Sequence, residues 1–209
     1  MKLSDNTYYY PDRMGRIILL ATREILGHNG TNAVLNLAGL SEFIDHYPAS
    51  QQNLNFSFEY ISRLQNTLEA FYGPHGGRGV ALRIGRACFQ HVLREFGPPF
   101  GLTDIAFRLL PMKSKMKIGT TALADIFNKY TDQRVSLEDH GQVLLWQIER
   151  CPMCWERRSD SAACQMAVGL LQEGLLWISG GKVYNVEERL CIAMGDSTCT
   201  LVIEKTPMS

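Results

Sequence analysis

The chain lacks three features that would assign a protein to a broad class at once. It has no net charge, since 21 lysines and arginines balance 21 aspartates and glutamates, so its composition predicts no partnership with nucleic acid or an anionic membrane. It has no run of about 18 apolar residues, which a transmembrane helix needs. Residues 1–11 are polar and tyrosine-rich and lack the apolar core of a signal peptide. We therefore expect a cytoplasmic protein that enters no membrane.

Motifs for nucleotide and DNA binding are also lacking. The glycine-rich run 76–79 follows a predicted helix rather than a strand, so we interpret it as a helix-breaking turn and not as a dinucleotide-binding loop. No helix-turn-helix is evident. A reductase needs a hydride source, and without such a loop the sequence assigns no catalytic residue. A binding module is therefore favoured over an enzyme.

The spacing of apolar residues changes along the chain. Helical spacing dominates the first part, and alternation typical of strands begins near residue 132. The predicted helices are 12–28, 31–40, 56–72, 79–96, 103–130 with an interruption near 111–117, and 164–177. The predicted strands are 134–138, 142–149, 182–191 and 198–204. Residues 41–55 are predicted to form a loop.

Helices followed by a β-β-α-β-β order predict an α+β fold, in which N-terminal helices pack with an antiparallel β-sheet. We expect one domain over residues 1–209. Its mainly helical part is 1–130, and its β-β-α-β-β part is 131–209.

Cysteine is scarce over most of the chain and concentrated near its end. Residues 1–150 contain only Cys88, which we interpret as a buried core residue. In a reducing compartment, clustered cysteines are more often metal ligands or redox groups than disulfides. The other five cysteines are Cys151, Cys154, Cys164, Cys191 and Cys199.

Four residues of this stretch can converge at one end of a sheet and helix. Cys164 opens a predicted helix, where the dipole favours a thiolate. Cys191 ends one predicted strand and Cys199 starts the next, so a hairpin would bring their sulfurs together, with Glu188 three residues earlier. Thiolates with one carboxylate suit Zn²⁺. We therefore predict a zinc site formed by Cys164, Glu188, Cys191 and Cys199.

Cys151 and Cys154 form a separate Cys-x-x-Cys pair. The spacing suits either metal chelation or a redox dithiol. A thioredoxin-like site needs the pair at the start of a helix within a βαβ unit, and Pro152 with the polar run 156–160 does not supply one. Five cysteines for four metal positions leave open whether this pair joins or replaces the predicted ligands.

The cysteine-rich stretch also carries an ordered signature. A cysteine-led helix with two glycines (164–175) is followed by Val186, by Glu188-x-x-Cys191 and by Gly195-Asp196-x-x-Cys199. This order resembles the 4-vinyl-reductase domain family. The resemblance implies a ligand-binding fold shared with haem-nitric-oxide sensors and TRAPP vesicle-tethering subunits.

The resemblance extends to a zinc site beside a small-molecule pocket. In the sensor domains of aromatic-responsive transcription activators, the positions that match Cys164, Glu188, Cys191 and Cys199 form a zinc site next to a pocket for phenols or related hydrocarbons. The chain departs from those activators in having Cys151 and Cys154 and in lacking their ATPase and DNA-binding domains. A sensor of this kind must act through a partner protein.

Three functions follow as hypotheses. The leading one is a zinc-containing module that binds or senses a small apolar or aromatic molecule. The second is a vinyl reductase or an accessory protein of tetrapyrrole and bacteriochlorophyll synthesis, which the family name implies. The third is an oligomeric scaffold in which N-terminal helices pair two subunits as a homodimer. His140 and Trp146 lie near the expected pocket, but we interpret them as a surface residue and a core residue.

Overall fold

A computed structural model describes residues 7–208. The first long helix, α1, spans Asp12–Leu37 and is interrupted at Gly27, whose φ of 71° is one that glycine adopts readily. The sequence predicted this break at 28–30 and a new helix starting at Thr31. Thr31 instead lies inside the helix, where its hydroxyl donates to the carbonyl of Gly27 at 2.8 Å.

The second long helix, α2, spans Phe58–Phe96. Ser57 caps it by accepting the Glu59 backbone N–H at 3.2 Å, and Gly73 interrupts it with a φ of 77°. The helix resumes at Pro74 because proline is tolerated in a first helical turn. The break predicted between the helices 56–72 and 79–96 is therefore confined to Gly73, and the interpretation of the glycine-rich run 76–79 as a helix-breaking turn was wrong, because that run lies inside α2.

Two shorter helices complete the helical part. The helix α3 spans Ile105–Leu109 and α4 spans Met112–Tyr130. Pro111, which precedes α4, has extended backbone with a ψ of 147°. The interruption predicted over 111–117 therefore includes Pro111 but ends before Met112, where α4 begins.

A pair of short strands joins the starts of α1 and α2. The strands β1, Tyr9–Pro11, and β2, Leu54–Ser57, are antiparallel. The sequence analysis predicted neither strand: it described residues 1–11 only as polar, and it placed 54–55 at the end of a loop and 56–57 at the start of a helix. Strands of three and four residues are too short to show the alternation that identifies a strand.

A four-stranded antiparallel sheet forms the second part of the chain and confirms the predicted α+β fold. Its order is β3-β4-β6-β5, and the helix α5, Gln165–Ser179, connects β4 to β5. The strands are β3, Val135–His140; β4, Val143–Ile148; β5, Tyr184–Leu190; and β6, Cys199–Pro207. Cys199 pairs with Ile148 across β4 and β6.

Two glycines allow α2 and α5 to cross with their backbones in contact. A Cβ atom on Gly85 would lie 1.9 Å from the carbonyl oxygen of Met166, and one on Gly169 would lie 2.0 Å from that of Leu82. Both obstacles are backbone atoms, which cannot rotate away as a side chain can. The crossing places the N-terminal end of α5 against the middle of α2.

Buried side chains from the helices and from the sheet form a single hydrophobic core cluster. Among the described residues, none of the helices combines the length and the apolar character that crossing a membrane requires.

We predict that Gly85→Ala destabilises the protein by about 1–3 kcal/mol, the usual cost of overpacking, because the new methyl group meets the Met166 backbone. Urea unfolding measures the change. Gly79→Ala is the matched control: Gly79 is in the same helix with open space around its Cβ position, so alanine should stabilise by about 0.5–1 kcal/mol. Equal effects of the two substitutions would contradict the proposed helix crossing.

Candidate functional site

The structure brings the four residues of the predicted zinc site together. Cys164 immediately precedes α5, Glu188 lies on β5, Cys191 follows β5 and Cys199 begins β6. Their ligand atoms, together with the sulfur of Cys154, all lie within 4.8 Å of one another. All five residues are buried, so this group could hold a metal ion away from water.

The sulfur of Cys154 has close contacts with three others. Its Sγ lies 3.4 Å from that of Cys164 and 3.5 Å from those of both Cys191 and Cys199. A 3₁₀ turn over Pro152–Cys154 directs it into the group. The sulfur of Cys151 lies 3.3 Å from that of Cys164 but does not belong to the five-membered group.

Glu188 is bonded to the start of α5. Its Oε2 atom accepts the backbone N–H of Cys164 at 2.7 Å, one of the N–H groups that a helix start leaves without a partner. Its Oε1 atom is buried without a hydrogen-bond partner among the described residues. Burial raises the pKa of this carboxyl, and hydrogen bonds from Cys164 oppose that shift.

The thiols differ in how readily they lose a proton. Burial raises the pKa of Cys151 and of Cys164, and contact first with Cys151 raises that of Cys199. The pKa of Cys154 is lowered, because Cys151 and then Cys164, Cys191 and Cys199 hydrogen-bond to its sulfur.

Backbone groups hold the β5–β6 connection in place around the cluster. The Cys191 backbone N–H donates to Asp196 Oδ2 at 2.7 Å, and the Ile192 N–H donates to the sulfur of Cys199 at 3.3 Å. Gly195 completes the turn with a φ of 106°. The sequence analysis predicted a hairpin between Cys191 and Cys199 but assigned Asp196 no contact with the site.

An apolar cavity of about 50 Å³ lies beside the cluster, between α1, α2, α5 and the sheet. Tyr10 and Gln133 contribute its main polar groups, and the Tyr10 hydroxyl donates to Gln133 Oε1. Burial raises the pKa of Tyr10, so the phenol stays neutral. The cavity is thus an apolar space with one hydrogen-bonded polar pair.

Cys88 and Trp146 both line this cavity. Burial raises the pKa of Cys88 to about 12, so it stays a neutral thiol. Both residues are buried, as the sequence predicted. His140, predicted to lie at the surface, is half-exposed, and its Nε2 atom lies 3.0 Å from Glu138 Oε2. The sequence analysis did not identify Tyr10 or Gln133 as lining a pocket.

The cavity and the cysteine cluster share a wall. Met153 lies between Cys151 and Cys154 in the chain and lines the cavity, as does Met166 near the start of α5. Ile148 lines it too and pairs with Cys199. Residues next to the cluster in the chain, or paired with one of its cysteines, therefore form part of the cavity wall.

Comparison with known proteins supports the fold. No protein-family model and no curated protein matches the chain. An H-NOX protein from S. oneidensis in the Fe(II)NO state is 14% identical with a TM-score of 0.55, covering 93% of this chain and 99% of that one. An Fe(II) unliganded H-NOX protein from K. algicida is 11% identical with a TM-score of 0.57, covering 95% and 97%.

A third similar structure is the phenol-responsive sensory domain of the transcription activator PoxR with phenol. It is 17% identical with a TM-score of 0.49, and the alignment covers 69% of this chain and 72% of that chain. The two H-NOX proteins are only 14% and 11% identical to this chain, so their structural similarity establishes the fold alone. The chain has an H-NOX-like fold.

The cavity does not fit the haem of the H-NOX fold family. Its volume of about 50 Å³ compares with about 150 Å³ for an engineered cavity that binds benzene, and haem is several times larger than benzene. None of the five histidines, His28, His46, His75, His91 and His140, lines it. Cys88 and Tyr10 do line it, but burial raises the pKa of both and so disfavours the ionised forms that ligate haem iron.

We predict that the cluster binds zinc and that Asp196→Ala lowers this affinity by about 10–100-fold, the usual cost of removing a group that orients a ligand. Without the carboxylate, the Cys191 backbone N–H loses the bond that orients the residue. Competition with a chromophoric chelator measures the affinity. Glu187→Ala is the control, because it also removes one negative charge. Glu187 is half-exposed and pairs with Arg189, so its loss should change the affinity for zinc little. Equal losses would show that charge alone, rather than orientation, governs binding.

Proposed function

We propose that this chain is a binding or sensing module for a small apolar or aromatic molecule, with a zinc ion that stabilises one wall of the pocket. The apolar cavity beside the cysteine cluster is the observation that carries the proposal. Ligand sites are mostly apolar concave spaces with a few convergent polar groups, and this cavity has that composition.

The size of the cavity limits the ligand to a small molecule. About 50 Å³ accommodates a few atoms, whereas about 150 Å³ accommodates benzene. A benzene-sized ligand therefore has to displace part of the wall. Met14, Met153 and Met166 line the cavity, and methionine side chains repack more easily than branched ones. We infer that these methionines move when a single aromatic ring enters.

The polar pair favours a ligand that carries one hydroxyl group. Gln133 is buried, and its Oε1 accepts the Tyr10 hydroxyl. A phenolic hydroxyl beside Gln133 can join this hydrogen bond, while the aromatic ring contacts apolar walls. Phenol is therefore a better probe than benzene for the complete site.

The metal has a structural role in this proposal. Buried sulfur atoms suit a closed zinc site, which contributes to folding rather than to catalysis. The ion would join the Cys151–Cys154 turn, the start of α5 and the β5–β6 connection. The likeness of the 164–199 signature to 4-vinyl-reductase domains agrees with this role.

The other two hypotheses have less support. A tetrapyrrole is as large as haem, so the cavity gives no support to the vinyl-reductase or bacteriochlorophyll alternative. The homodimer and a protein partner that receives a signal remain predictions from the sequence. Light scattering tests the homodimer without reference to the cavity.

We predict that Val92→Phe lowers the affinity for phenol by at least about tenfold, which corresponds to about 1.4 kcal/mol. Val92 is fully buried and lines the cavity, so the larger side chain can occupy the space that the ligand needs. Calorimetric titration with phenol, and with benzene for comparison, measures the binding. Zinc content should not change.

The matched control is Val183→Phe, the same substitution at a half-exposed position outside the cavity. It should leave the affinity for phenol unaltered. If wild-type protein binds neither phenol nor benzene, or if the two variants bind equally well, the proposed ligand site is wrong.

A further inference from the structure

The cysteine cluster offers five buried donors for a metal ion that takes four. We propose that the thiolates of Cys154, Cys164, Cys191 and Cys199 hold the zinc, and that Glu188 stays outside the coordination shell. This inference rests on the metal site of the proposed function. It differs from the set predicted from the sequence, because Cys154 takes the position that was assigned to Glu188.

The distances place Cys154 at the centre of the cluster. Its sulfur lies 3.4–3.5 Å from the sulfurs of Cys164, Cys191 and Cys199. With Zn–S bonds of about 2.3 Å, the sulfurs of a tetrahedral site are about 3.8 Å apart. Each of these separations therefore needs to open by only a few tenths of an ångström to admit the ion.

Glu188 is fixed to the backbone through one of its two oxygens, while Oε1 has no hydrogen-bond partner among the described residues; the choice against it therefore rests on the preference of zinc for thiolates. The Oε2 atom of Glu188 accepts the backbone N–H of Cys164 at 2.7 Å, and this bond holds the residue that begins α5. As a ligand, the carboxylate would have to bring an oxygen to about 2.0–2.2 Å from zinc. Most closed structural zinc sites use cysteine and histidine, and where four thiolates are within reach zinc prefers them to a carboxylate. Glu188 is thus a positioning residue for Cys164.

Cys151 borders the cluster, with contacts to the sulfurs of Cys154, Cys164 and Cys199, but it fits the group less closely than Cys154 does. The Cys151 sulfur lies 3.3 Å from that of Cys164, but it does not belong to the group of ligand atoms that lie within 4.8 Å of one another. It is as buried as Cys154 and precedes it by three residues. Cys151 is therefore a matched control for Cys154.

The choice of Cys154 connects the metal to the cavity. Cys154 ends the 3₁₀ turn that contains Met153, a residue of the cavity wall. If Glu188 were the fourth ligand, that turn would have no bond to the ion. With Cys154 as a ligand, the ion fixes the turn directly.

X-ray absorption at the zinc edge of the full chain tests the donor set, because sulfur and oxygen neighbours differ in distance by about 0.1–0.3 Å. The spectra are recorded for the wild type and for Cys154→Ser, Glu188→Gln and Cys151→Ser, each with its zinc content. We expect four sulfur neighbours in the wild type, in Glu188→Gln and in Cys151→Ser. Cys154→Ser should show three sulfurs and lose at least about tenfold in zinc affinity.

Three results would overturn the inference. They are a wild-type shell of three sulfurs and one oxygen, loss of that oxygen in Glu188→Gln, and a chain that binds no zinc. If Cys154→Ser does not fold, the wild-type and Glu188→Gln spectra still decide between the two sets. Phenol binding is measured separately, so four sulfurs without phenol binding would refute the ligand site and leave the zinc site intact.

Discussion

The close crossing of α2 and α5 is the constraint on which both the cavity and the cysteine cluster depend. Gly85 and Gly169 leave room for backbone against backbone, and any side chain at either position would separate the helices. Cys164 immediately precedes α5, so the crossing also sets where its sulfur lies. Further along the helix, Met166 and Leu170 form part of the cavity wall, to which Cys88 of α2 also contributes. The site therefore follows from how two helices pack.

The proposed metal and the proposed ligand act on the same structural element. The turn that contains Met153 lies between the cluster and the cavity, and an ion bound to Cys154 would hold it. The bound metal would therefore either lower or raise the affinity for a ligand that displaces Met153. Because such coupling is reciprocal, the metal would change ligand affinity by the same factor as the ligand changes metal affinity. This is a physical route by which one domain could report the presence of a small molecule.

Much of the architecture could be predicted from the sequence, because long helices and a sheet with one buried face have clear periodicities. The order of helices followed by β-β-α-β-β, and the convergence of Cys164, Glu188, Cys191 and Cys199, followed from local patterns and one hairpin. The position of Cys154 did not. An irregular stretch separates it from α5, and no periodicity indicates how such a stretch folds.

The cavity could not be predicted for a related reason. Its polar pair, Tyr10 and Gln133, is separated by 123 residues, and Tyr10 belongs to a strand of three residues that the sequence does not reveal. A cavity is a space that packing leaves open between distant elements. It has no spacing of its own along the chain.

The most direct test of the account is a crystal structure under xenon pressure with anomalous data collected at the zinc edge. Xenon enters closed apolar cavities, so one anomalous peak is expected beside Val92, Leu170 and Met166, and a zinc peak among the sulfurs of the cluster. Ordered water in the cavity, or a cluster without metal in crystals grown with zinc, would contradict the claim that a metal-stabilised apolar pocket is the functional centre of this protein.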